Sequence, residues 1–323
     1  MDQDDLGRTA DDSPMNPPSQ RDGVGTVSVI IASNRGGPYL ADAVESVRQQ
    51  TVPVHEIILV DDGSPEPGLS QVARELGIDY VRQLASGVSA ARNRGVARAT
   101  GEWVALLDDD DIWHPEKVEE QLRALEASPE SIACYTDQTI IDSLGSSTMM
   151  ATAPVGSSSE LIARGNGVPP SNTLLIRREA YITVGGCEAG LRFAEDIDLV
   201  LRLLRLGEFT KVDRALIGYR KYPGQVTNDG FASQAGYLHV VRRLIRRVER
   251  AGDHEMARLL RQHLERTLPG MAEWGAGELL SRMRHGRWRD AAATARWGFT
   301  HTRAAFPSAI LRTAAGRLRG SRR

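Results

Sequence analysis

The chain has 323 residues, of which 41% are hydrophobic and 25% are charged, and its formal net charge is −2. This length suffices for one large domain with an appendage, and no apolar run approaches the length of a membrane span or of a secretory leader. The two cysteines, Cys134 and Cys187, lack the spacing of a metal site or a disulfide framework, so we expect a cytoplasmic protein that is soluble or at most peripheral on the inner face of the membrane.

The N-terminal part of the sequence predicts a tail followed by a strand, a helix and a second strand. Residues 1–25 are rich in Asp, Pro, Ser and Gln and predict a disordered tail. Residues 27–31 are apolar and β-branched and predict the first strand, while the second, at 56–60, ends at Asp61 and Asp62. A strand, helix and strand in this order imply a right-handed parallel crossover. Both strands are therefore expected to end at the same edge of one sheet.

A small-residue segment at 86–95 follows a predicted helix at 68–76 and a predicted strand at 78–81. It places Arg92 and Asn93 one turn into a helix, where they suit an anion or a sugar hydroxyl near the helix N-terminus. Close packing of the helix on the sheet explains the small residues equally well.

The most informative stretch is an apolar run at 105–107 that leads directly into four consecutive carboxylates, Asp108, Asp109, Asp110 and Asp111. Such a run predicts a buried strand that delivers acid groups to the sheet edge where open α/β folds bind ligands. Crowded carboxylates repel one another and need either open water or a cation. Asp108 and Asp110 can point the same way, and their oxygens suit Mg²⁺ or Mn²⁺. The alternative is a solvated acidic loop, which the buried strand before the cluster and the Ile-Trp pair after it make less favourable.

The middle of the chain continues to alternate helices and strands. The predicted elements are a helix at 114–125, strands at 132–135 and 139–141, a mobile loop over 145–156 near the acceptor side, a strand at 171–176 and a helix at 178–184.

A second acidic motif, Glu195 and Asp196, stands at the start of a predicted helix that carries Leu199 and Leu203 on one face and ends at Gly207. A carboxylate is favoured at a helix N-terminus by the macrodipole alone. A position this far from the first acidic cluster in sequence also allows a separate chemical role.

From about residue 231 onward the pattern is helical throughout and much more basic than the rest of the chain. Three tryptophans, Trp274, Trp288 and Trp297, are interleaved with the arginines. Three interpretations are open for this region: solvated outer helix faces with tryptophans between the helices, a surface for an anionic membrane, and nucleic-acid binding. Of these, we do not expect a nucleic-acid partner.

Several well-known motifs are absent from the sequence. It contains no Walker A loop, no Gly-x-Gly-x-x-Gly after a strand, no nucleophile elbow and no His-Glu-x-x-His. These absences weigh against a P-loop NTPase, a dinucleotide dehydrogenase, a serine hydrolase and a zincin.

Taken together, the motifs resemble those of family 2 glycosyltransferases over about residues 27–222. The resemblance rests on the first strand and its turn, Asp61-Asp62-Gly63-Ser64, Gly87 to Gly95 with its Ala-Arg-Asn-Arg segment, Leu107 to Trp113, and Gly185-Gly186 followed by Glu195-Asp196-Ile197-Asp198. It implies an α/β fold of GT-A type, with a mostly parallel sheet flanked by helices, for the domain that we place at 26–230. It also implies inverting transfer of a sugar from a nucleotide diphosphate donor, a UDP-sugar above all, with Mn²⁺ or Mg²⁺. The basic helical region at 231–323 falls outside the resemblance and is predicted from its own helical pattern and charge.

The resemblance also implies roles for individual residues. The position of Asp61 contacts the nucleotide base in similar enzymes, Asp108 approaches the ribose and also stands beside the metal, Asp110 holds the metal, and Asp196 is the catalytic base, with Glu195 as the nearest rival. The remaining expected nucleotide-site residues are Ser33, Asp62, Arg92, Asn93 and Asp109.

Two departures from the family pattern concern the same site. The family often has Pro-Thr-Tyr-Asn after the first strand, where this chain has Ala32-Ser33-Asn34-Arg35. This chain also has Tyr222 where members often carry the His of Tyr-Arg-x-His-Pro-Gly, so Lys221 or Tyr222 is expected to replace that contact.

Other functional interpretations remain at this point. A non-catalytic module that binds a sugar nucleotide or a glycan could keep the same fold. A sugar nucleotidyltransferase shares the general architecture but needs a Gly-rich basic loop that is not evident after Ile31. The expected acceptor is a glycan, a lipid-linked molecule or a small molecule with a hydroxyl group.

Overall fold

Nine strands form one sheet in the part of the chain that the computed structural model describes, namely residues 25–65, 68–165, 168–223, 225 and 230–320. The strands are β1 (Val27–Ser33), β2 (Glu56–Asp62), β3 (Asp79–Gln83), β4 (Trp103–Asp108), β5 (Ile112–Trp113), β6 (Ala133–Ile141), β7 (Ser147–Ala151), β8 (Leu175–Arg177) and β9 (Phe209–Arg220). Their order in the sheet is β3-β2-β1-β4-β8-β6-β9-β5, and β7 pairs with β6.

Helices cover both faces of this sheet and continue beyond it. They are α1 (Leu40–Arg48), α2 (Gly68–Glu75), α3 (Val88–Arg98), α4 (Lys117–Ala127), α5 (Ser158–Ala163), α6 (Arg178–Thr183), α7 (Glu195–Leu206), α8 (Gly230–Arg250), α9 (His254–Arg284), α10 (Trp288–His301) and α11 (Ala305–Gly320). The predicted α/β fold with a helical C-terminal region is confirmed. The tail predicted over residues 1–25 lies, up to residue 24, outside the described residues.

The first four strands pair in parallel, as the predicted crossovers require. Beyond β4 the sheet becomes mixed, because β8 lies antiparallel between β4 and β6, and β5 and β7 are antiparallel to β9 and β6. Strand β6 is parallel to β9.

The sheet has a hydrophobic core on each face because successive residues of β1 point to opposite sides. Val29 and Ile31 belong to the core that α1, α2 and α4 cover. Ile30 belongs to the larger core beneath α3, α5, α6 and α7. Helix α8 and the first half of α9 contribute Val241 and Leu260 to this second core, so the basic region begins as part of the same packing unit.

The last helices form a smaller cluster of their own. Small side chains on α9 and α10, such as Ala276 and Ala291, surround the fully buried Phe306 of α11. None of the described helices is both long enough and apolar enough to span a bilayer.

The structure corrects several predicted elements between residues 112 and 220. The segment 145–156, predicted to be a loop, contains strand β7, and the two strands predicted at 132–135 and 139–141 are one strand, β6. Strands β5 and β9 were not predicted. Strand β9 shows no clear apolar pattern in the sequence because it carries the charged residues Lys211, Asp213 and Arg214. In the fold Lys211 forms ion pairs with Asp137 (3.0 Å) and Asp213 (2.8 Å).

The close approach of α3 to the sheet depends on Gly95. A Cβ atom at this position would lie 2.3 Å from Ile30 Cγ2 and 3.2 Å from Val60 Cγ2, whereas a Cβ built on Gly37 meets no described atom within 4 Å beyond its chain neighbours. We expect Gly95→Ala to destabilise the protein by about 1–3 kcal/mol through overpacking. Gly37→Ala, the control, should change the stability by no more than about 1 kcal/mol, because the added methyl group has room and only restricts the unfolded chain. Denaturant unfolding measures both, and equal effects of the two changes would contradict this packing.

Candidate active site

The carboxyl ends of three neighbouring strands bring the acidic residues together. The registers place Ala32 of β1 opposite Asp108 of β4, and Ser33 of β1 opposite Asp61 of β2. The expectation that these acidic strand ends share one edge of the sheet is therefore confirmed.

Asp61 is fully buried and is held by donors from the same part of the sheet. It accepts hydrogen bonds from the Ser64 amide (2.7 Å), the Ser64 hydroxyl (3.0 Å) and the Tyr80 hydroxyl (2.7 Å), and it pairs with Arg82 (3.1 Å). Burial raises the pKa of Asp61, but these hydrogen bonds and Arg82 outweigh it and hold the pKa below its ordinary value. Asp61 therefore fixes the turn after β2 as a permanent carboxylate.

Asp62 organises the loop that leads into α3. Its Oδ1 accepts from Gln83 Nε2 and from the Ser86 amide, and its Oδ2 accepts from the Gly87 amide, each at 2.8 Å. Gly87 has a φ of 91°, a left-handed conformation that favours glycine. One side chain thus sets where α3 begins, and with it where Arg92 lies.

Asp109 points back toward the end of β1. Its Oδ2 accepts a hydrogen bond of 2.5 Å from the Ser33 hydroxyl. Burial, followed by repulsion from Asp110 and Asp108, raises the pKa of Asp109 to about 6 even though Ser33 opposes the shift. The site therefore concentrates more negative charge than its surroundings readily stabilise.

Asp111 anchors the acidic cluster to the opposite half of the sheet. Its buried carboxylate accepts from the Arg220 backbone amide and from Asn172 Nδ2, both at 2.9 Å. The Arg220 guanidinium in turn donates to the Asp110 carbonyl (2.8 Å). Burial, with repulsion from Asp108, raises the pKa of Asp111 well above its ordinary value. The Asp111 carboxylate thus holds the backbone at Arg220 in position and does not line the cavity.

Asp110 is oriented by residues from the segment after β9. Its Oδ2 accepts from the Tyr222 hydroxyl (3.0 Å) and from Gln225 Nε2 (3.3 Å), and Tyr222 also accepts from Arg35 Nη2 (3.1 Å). Burial and the neighbouring Asp108 raise the pKa of Asp110. Tyr222, one of the two residues expected to replace the family histidine, thus reaches Asp110.

Arg92 connects the acidic cluster with the second acidic motif. Its guanidinium, only 7% exposed, donates to Asp108 Oδ1 (2.7 Å) and to Glu195 Oε1 (3.0 Å). Burial opposes the charge on Arg92, but Asp108 and Glu195 outweigh it and raise the pKa of Arg92. The guanidinium fork suits this bridge, since it can address two carboxylates at once.

The second acidic motif opens α7 through an unusual backbone conformation. Ala194 has a φ of 61°, which is rare for a residue with a Cβ and is typical of functional sites. Glu195 lies against Arg92, whereas the Asp196 carboxylate accepts from the Ile197 amide (2.8 Å). Burial and neighbouring carboxylates raise the pKa of both Glu195 and Asp196.

Asn93 occupies a position next to the site rather than inside it. Its amide donates to the Cys187 carbonyl (2.8 Å) and accepts from the Cys187 amide (2.8 Å) and the Tyr181 hydroxyl (2.7 Å). These contacts tie α3 to the loop that precedes α7. Its nucleotide contact stays a prediction.

A cavity of about 300 Å³ lies where these elements meet. Its lining includes the predicted residues Ser33, Asp62, Arg92, Asp108, Asp109 and Asp110, together with Asn34, Arg35, Tyr219 and Gln225. Four other predicted site residues do not belong to that lining: Asp61, Asn93, Glu195 and Asp196. Sequence analysis did not find Gln225, because nothing near it marks a residue whose partner, Asp110, is so distant in the chain.

The model of the family described as "Glycosyl transferase family 2" matches residues 28–193, just over half of the chain. The chain belongs to glycosyltransferase family 2. The match contains the acidic cluster and ends immediately before Glu195 and Asp196.

Relatives of this glycosyltransferase carry related descriptions. An uncharacterized glycosyltransferase of Haemophilus influenzae is 26% identical over 71% of this chain and 81% of its own length. The amylovoran biosynthesis glycosyltransferase AmsB of Erwinia amylovora is 27% identical over 59% of this chain and 68% of its own. The putative teichuronic acid biosynthesis glycosyltransferase TuaG of Bacillus subtilis is 37% identical, over 30% of this chain and 40% of its own.

The fold of this glycosyltransferase is similar to that of S. aureus TarS. The structure of TarS residues 1–349 in complex with UDP-GlcNAc superposes with a TM-score of 0.62 and 18% identity, over 88% of this chain and 91% of the other. The complex of the same protein with UDP gives a TM-score of 0.57. The expected GT-A type fold is thereby confirmed.

The acidic cluster of this glycosyltransferase offers few ligands for a metal ion. No group of three or more His, Cys, Asp or Glu side chains within the described ranges is arranged to hold one. Asp108 Oδ2 and Asp110 Oδ1, however, accept no hydrogen bond from any other described residue. Two hard oxygens fit Mg²⁺ or Mn²⁺ when water and substrate phosphates complete the coordination.

The bridge made by Arg92 can be tested through stability. Arg92→Met would leave Asp108 and Glu195 without their shared cation, and we expect a loss of about 3–5 kcal/mol in the free energy of unfolding near pH 7. The loss should shrink as the pH falls, since protonation of the two carboxylates removes the unpaired charge. The matched control is Arg94→Met, an exposed position on the same helix, which should change stability by less than about 0.5 kcal/mol. A loss independent of pH would contradict the bridge.

Proposed function

We propose that this glycosyltransferase moves a sugar from a nucleoside diphosphate donor, specifically a UDP-sugar, to a hydroxyl group of an acceptor during polysaccharide synthesis, with inversion at the anomeric carbon. The observation that carries the proposal is the cavity at the ends of β1 and β4. Asp108, Asp109 and Asp110 line this cavity together with Arg92. Arg92 also contacts Glu195, which lies outside the lining next to Asp196.

The comparisons support the class of donor and product. TarS, which shares the fold, binds UDP-GlcNAc and UDP, and the descriptions of TuaG and AmsB concern the synthesis of teichuronic acid and amylovoran. Both descriptions refer to polymers built from sugars, which agrees with a hydroxyl acceptor in a growing glycan.

Asp196 suits the role of general base better than Glu195 does. Burial raises the pKa of both carboxylates, and Arg92 opposes the shift in both. Glu195 accepts a hydrogen bond from Arg92 (3.0 Å), which occupies one of its oxygens. Asp196 accepts none from Arg92, so its carboxylate is more available to take a proton from a hydroxyl. An inverting displacement needs one such base on the acceptor side of the sugar. Glu195 then serves to hold the start of α7 in place.

The leaving nucleoside diphosphate is anionic and would be repelled by the crowded carboxylates. Mn²⁺ or Mg²⁺ held by Asp110 and Asp108 would neutralise that charge and stabilise the departing diphosphate. Ser33, Asn34 and Arg35 from the end of β1 would line the nucleotide beside it. We further propose a lipid-linked or glycan acceptor at the inner face of the membrane, which the enzyme meets as a peripheral protein.

Because the protein itself offers few ligands for a metal ion, we expect the metal ion and the nucleotide to bind cooperatively. UDP with Mn²⁺ should stabilise the protein by about 2.7 kcal/mol at a hundredfold excess over Kd, whereas Mn²⁺ alone or UDP with EDTA should have little effect. Thermal unfolding measures the effect in each mixture. Asp110→Ala should abolish the joint effect, while Asp79→Ala, an exposed aspartate outside the cavity, should not. Equal stabilisation by UDP with and without EDTA would rule out the metal assignment.

The role of Asp196 is tested by substitution with the amide of the same shape. Asp196→Asn should lower the transfer rate by roughly 10²–10⁴ because an amide cannot take up the proton, while binding of UDP with Mn²⁺ stays nearly unchanged. Glu195→Gln should lower transfer less and stability more, since it disrupts the contact with Arg92. Product formation with a panel of nucleotide sugars gives the rates, and donor hydrolysis without acceptor distinguishes an enzyme from a binding module.

Near-normal transfer by a folded Asp196→Asn protein would move the base to another carboxylate. Binding of a UDP-sugar with neither transfer nor hydrolysis in the unmodified protein would contradict the proposed activity itself.

A further inference from the structure

Helix α10 has an exposed face that differs in composition from the rest of the surface. Its buried side, with Ala291, Thr294 and Gly298, packs toward α9 and α11. On its exposed side Trp288 is 64% exposed and Phe299 is 53% exposed, and Ala292 lies between them on the same stripe. Single exposed hydrophobic side chains are common on protein surfaces, whereas large ones grouped on one face of a helix indicate an interaction site.

The same face carries positive charge without compensation. Arg289 and Arg296 are exposed, seven residues apart, and therefore lie on one side of the helix next to the aromatic stripe. The described residues on this face include no carboxylate, because Asp290 lies toward the side of the helix and pairs with Arg287 (2.7 Å). We call Trp288, Arg289, Ala292, Arg296 and Phe299 the α10 outer face.

The surroundings of the α10 outer face add to its positive charge. Between residues 271 and 315 each acidic residue already pairs with an arginine: Glu273 with Arg312, Glu278 with Arg282 and Asp290 with Arg287. Arg284, Arg289, Arg296 and Arg303 form no ion pair with a described carboxylate. Residues 231–323 contain 19 arginines and 7 acidic residues, although the whole chain has a net charge of −2.

We propose that the α10 outer face docks onto a bilayer that contains anionic phospholipids, with the helix lying in the plane of the interface. Tryptophan and phenylalanine favour the boundary between headgroups and acyl chains, and arginine pairs with lipid phosphates. No membrane-spanning segment is needed for such an attachment. The docking does not depend on the proposed transfer reaction, because none of its residues belongs to the cavity.

A second copy of the chain fits this face less well than a membrane does. A twofold-related copy would place the same arginines opposite one another, and like charges across an interface are unfavourable. Each arginine instead strengthens binding to an anionic bilayer, and a bilayer takes up isolated aromatic side chains without a matching pocket.

The test is flotation of the full-length protein with phosphatidylcholine vesicles that contain or lack phosphatidylglycerol. The protein should float with the anionic vesicles at low salt and not with the neutral ones. Binding should fade as salt screens the arginines. Fluorescence should shift to shorter wavelength on binding, as an exposed tryptophan enters the interface.

Variants separate the contributions of charge and aromatic rings. Replacing Arg289 and Arg296 by Gln should weaken partitioning about fivefold for each arginine removed. Trp288→Ala should weaken it about tenfold, and it is preferred to a Phe299 variant because Phe299 also packs edge-on against Phe306 (5.3 Å). Matched controls are Arg98→Gln and Ile182→Ala, which remove an exposed arginine and an exposed apolar side chain elsewhere. The controls should float like the unmodified protein.

Three results would overturn the proposal: no flotation with anionic vesicles at low salt, equal loss in the controls, or a Trp288→Ala protein that floats normally. Loss of a dimer in Trp288→Ala without vesicle binding would assign the face to a second copy, and retention on DNA without vesicle binding would assign it to nucleic acid. Transfer to a soluble acceptor should stay normal in every variant, so failure of the docking and failure of the transferase activity are distinguishable.

Discussion

Four carboxylates in succession at the end of a buried strand can coexist only if each is directed to a different environment. The fold separates them by giving each its own donors: Arg92 for Asp108, Ser33 for Asp109, Tyr222 and Gln225 for Asp110, and Asn172 with the Arg220 amide for Asp111. These donors come from both halves of the sheet. Formation of the acidic cluster therefore requires most of the α/β domain to be in place. Burial raises the pKa values of Asp109, Asp110 and Asp111, and repulsion from the neighbouring carboxylates adds to the shift.

That remaining repulsion makes the site suited to a cation and to an anionic ligand that carries one. Arg92 supplies the fixed positive charge, but it is shared between Asp108 and Glu195 and cannot neutralise the whole cluster. Arg92 also links the two acidic motifs mechanically, because one guanidinium contacts both Asp108 and Glu195. With the proposed roles, a shift of Asp108 on donor binding would be transmitted through Arg92 to the start of α7, where Asp196 lies.

The sequence predicted the parts of the site that follow directly from strand ends. The apolar runs before Asp61 and Asp108 marked two parallel strands, and the crossover rule placed their ends on one edge. Contacts between distant segments could not be predicted in this way. Arg220 reaches Asp110 and Asp111 from β9, a strand whose charged residues obscure its pattern.

The same limits apply to surfaces and boundaries. Strand β7 carries Met149 and Met150, which are exposed at 61% and 65%, and a strand with two exposed faces has no alternation that periodicity could detect. The change in charge near residue 231 coincides with the start of α8, but the packing of Val241 and Leu260 continues the core of the preceding domain. Composition therefore marks a change of surface there more clearly than a change of folding unit.

A crystal structure of the protein with UDP and Mn²⁺ would test the proposed donor site most directly. We expect the diphosphate in the cavity between Ser33 and Arg92, with the metal ion bound to Asp110 and Asp108 and its coordination completed by phosphate oxygens and water. A nucleotide in a second cavity, about 400 Å³ between α1 and the starts of β2 and β3, would contradict this site. A bound diphosphate whose metal does not touch Asp110 would contradict it as well.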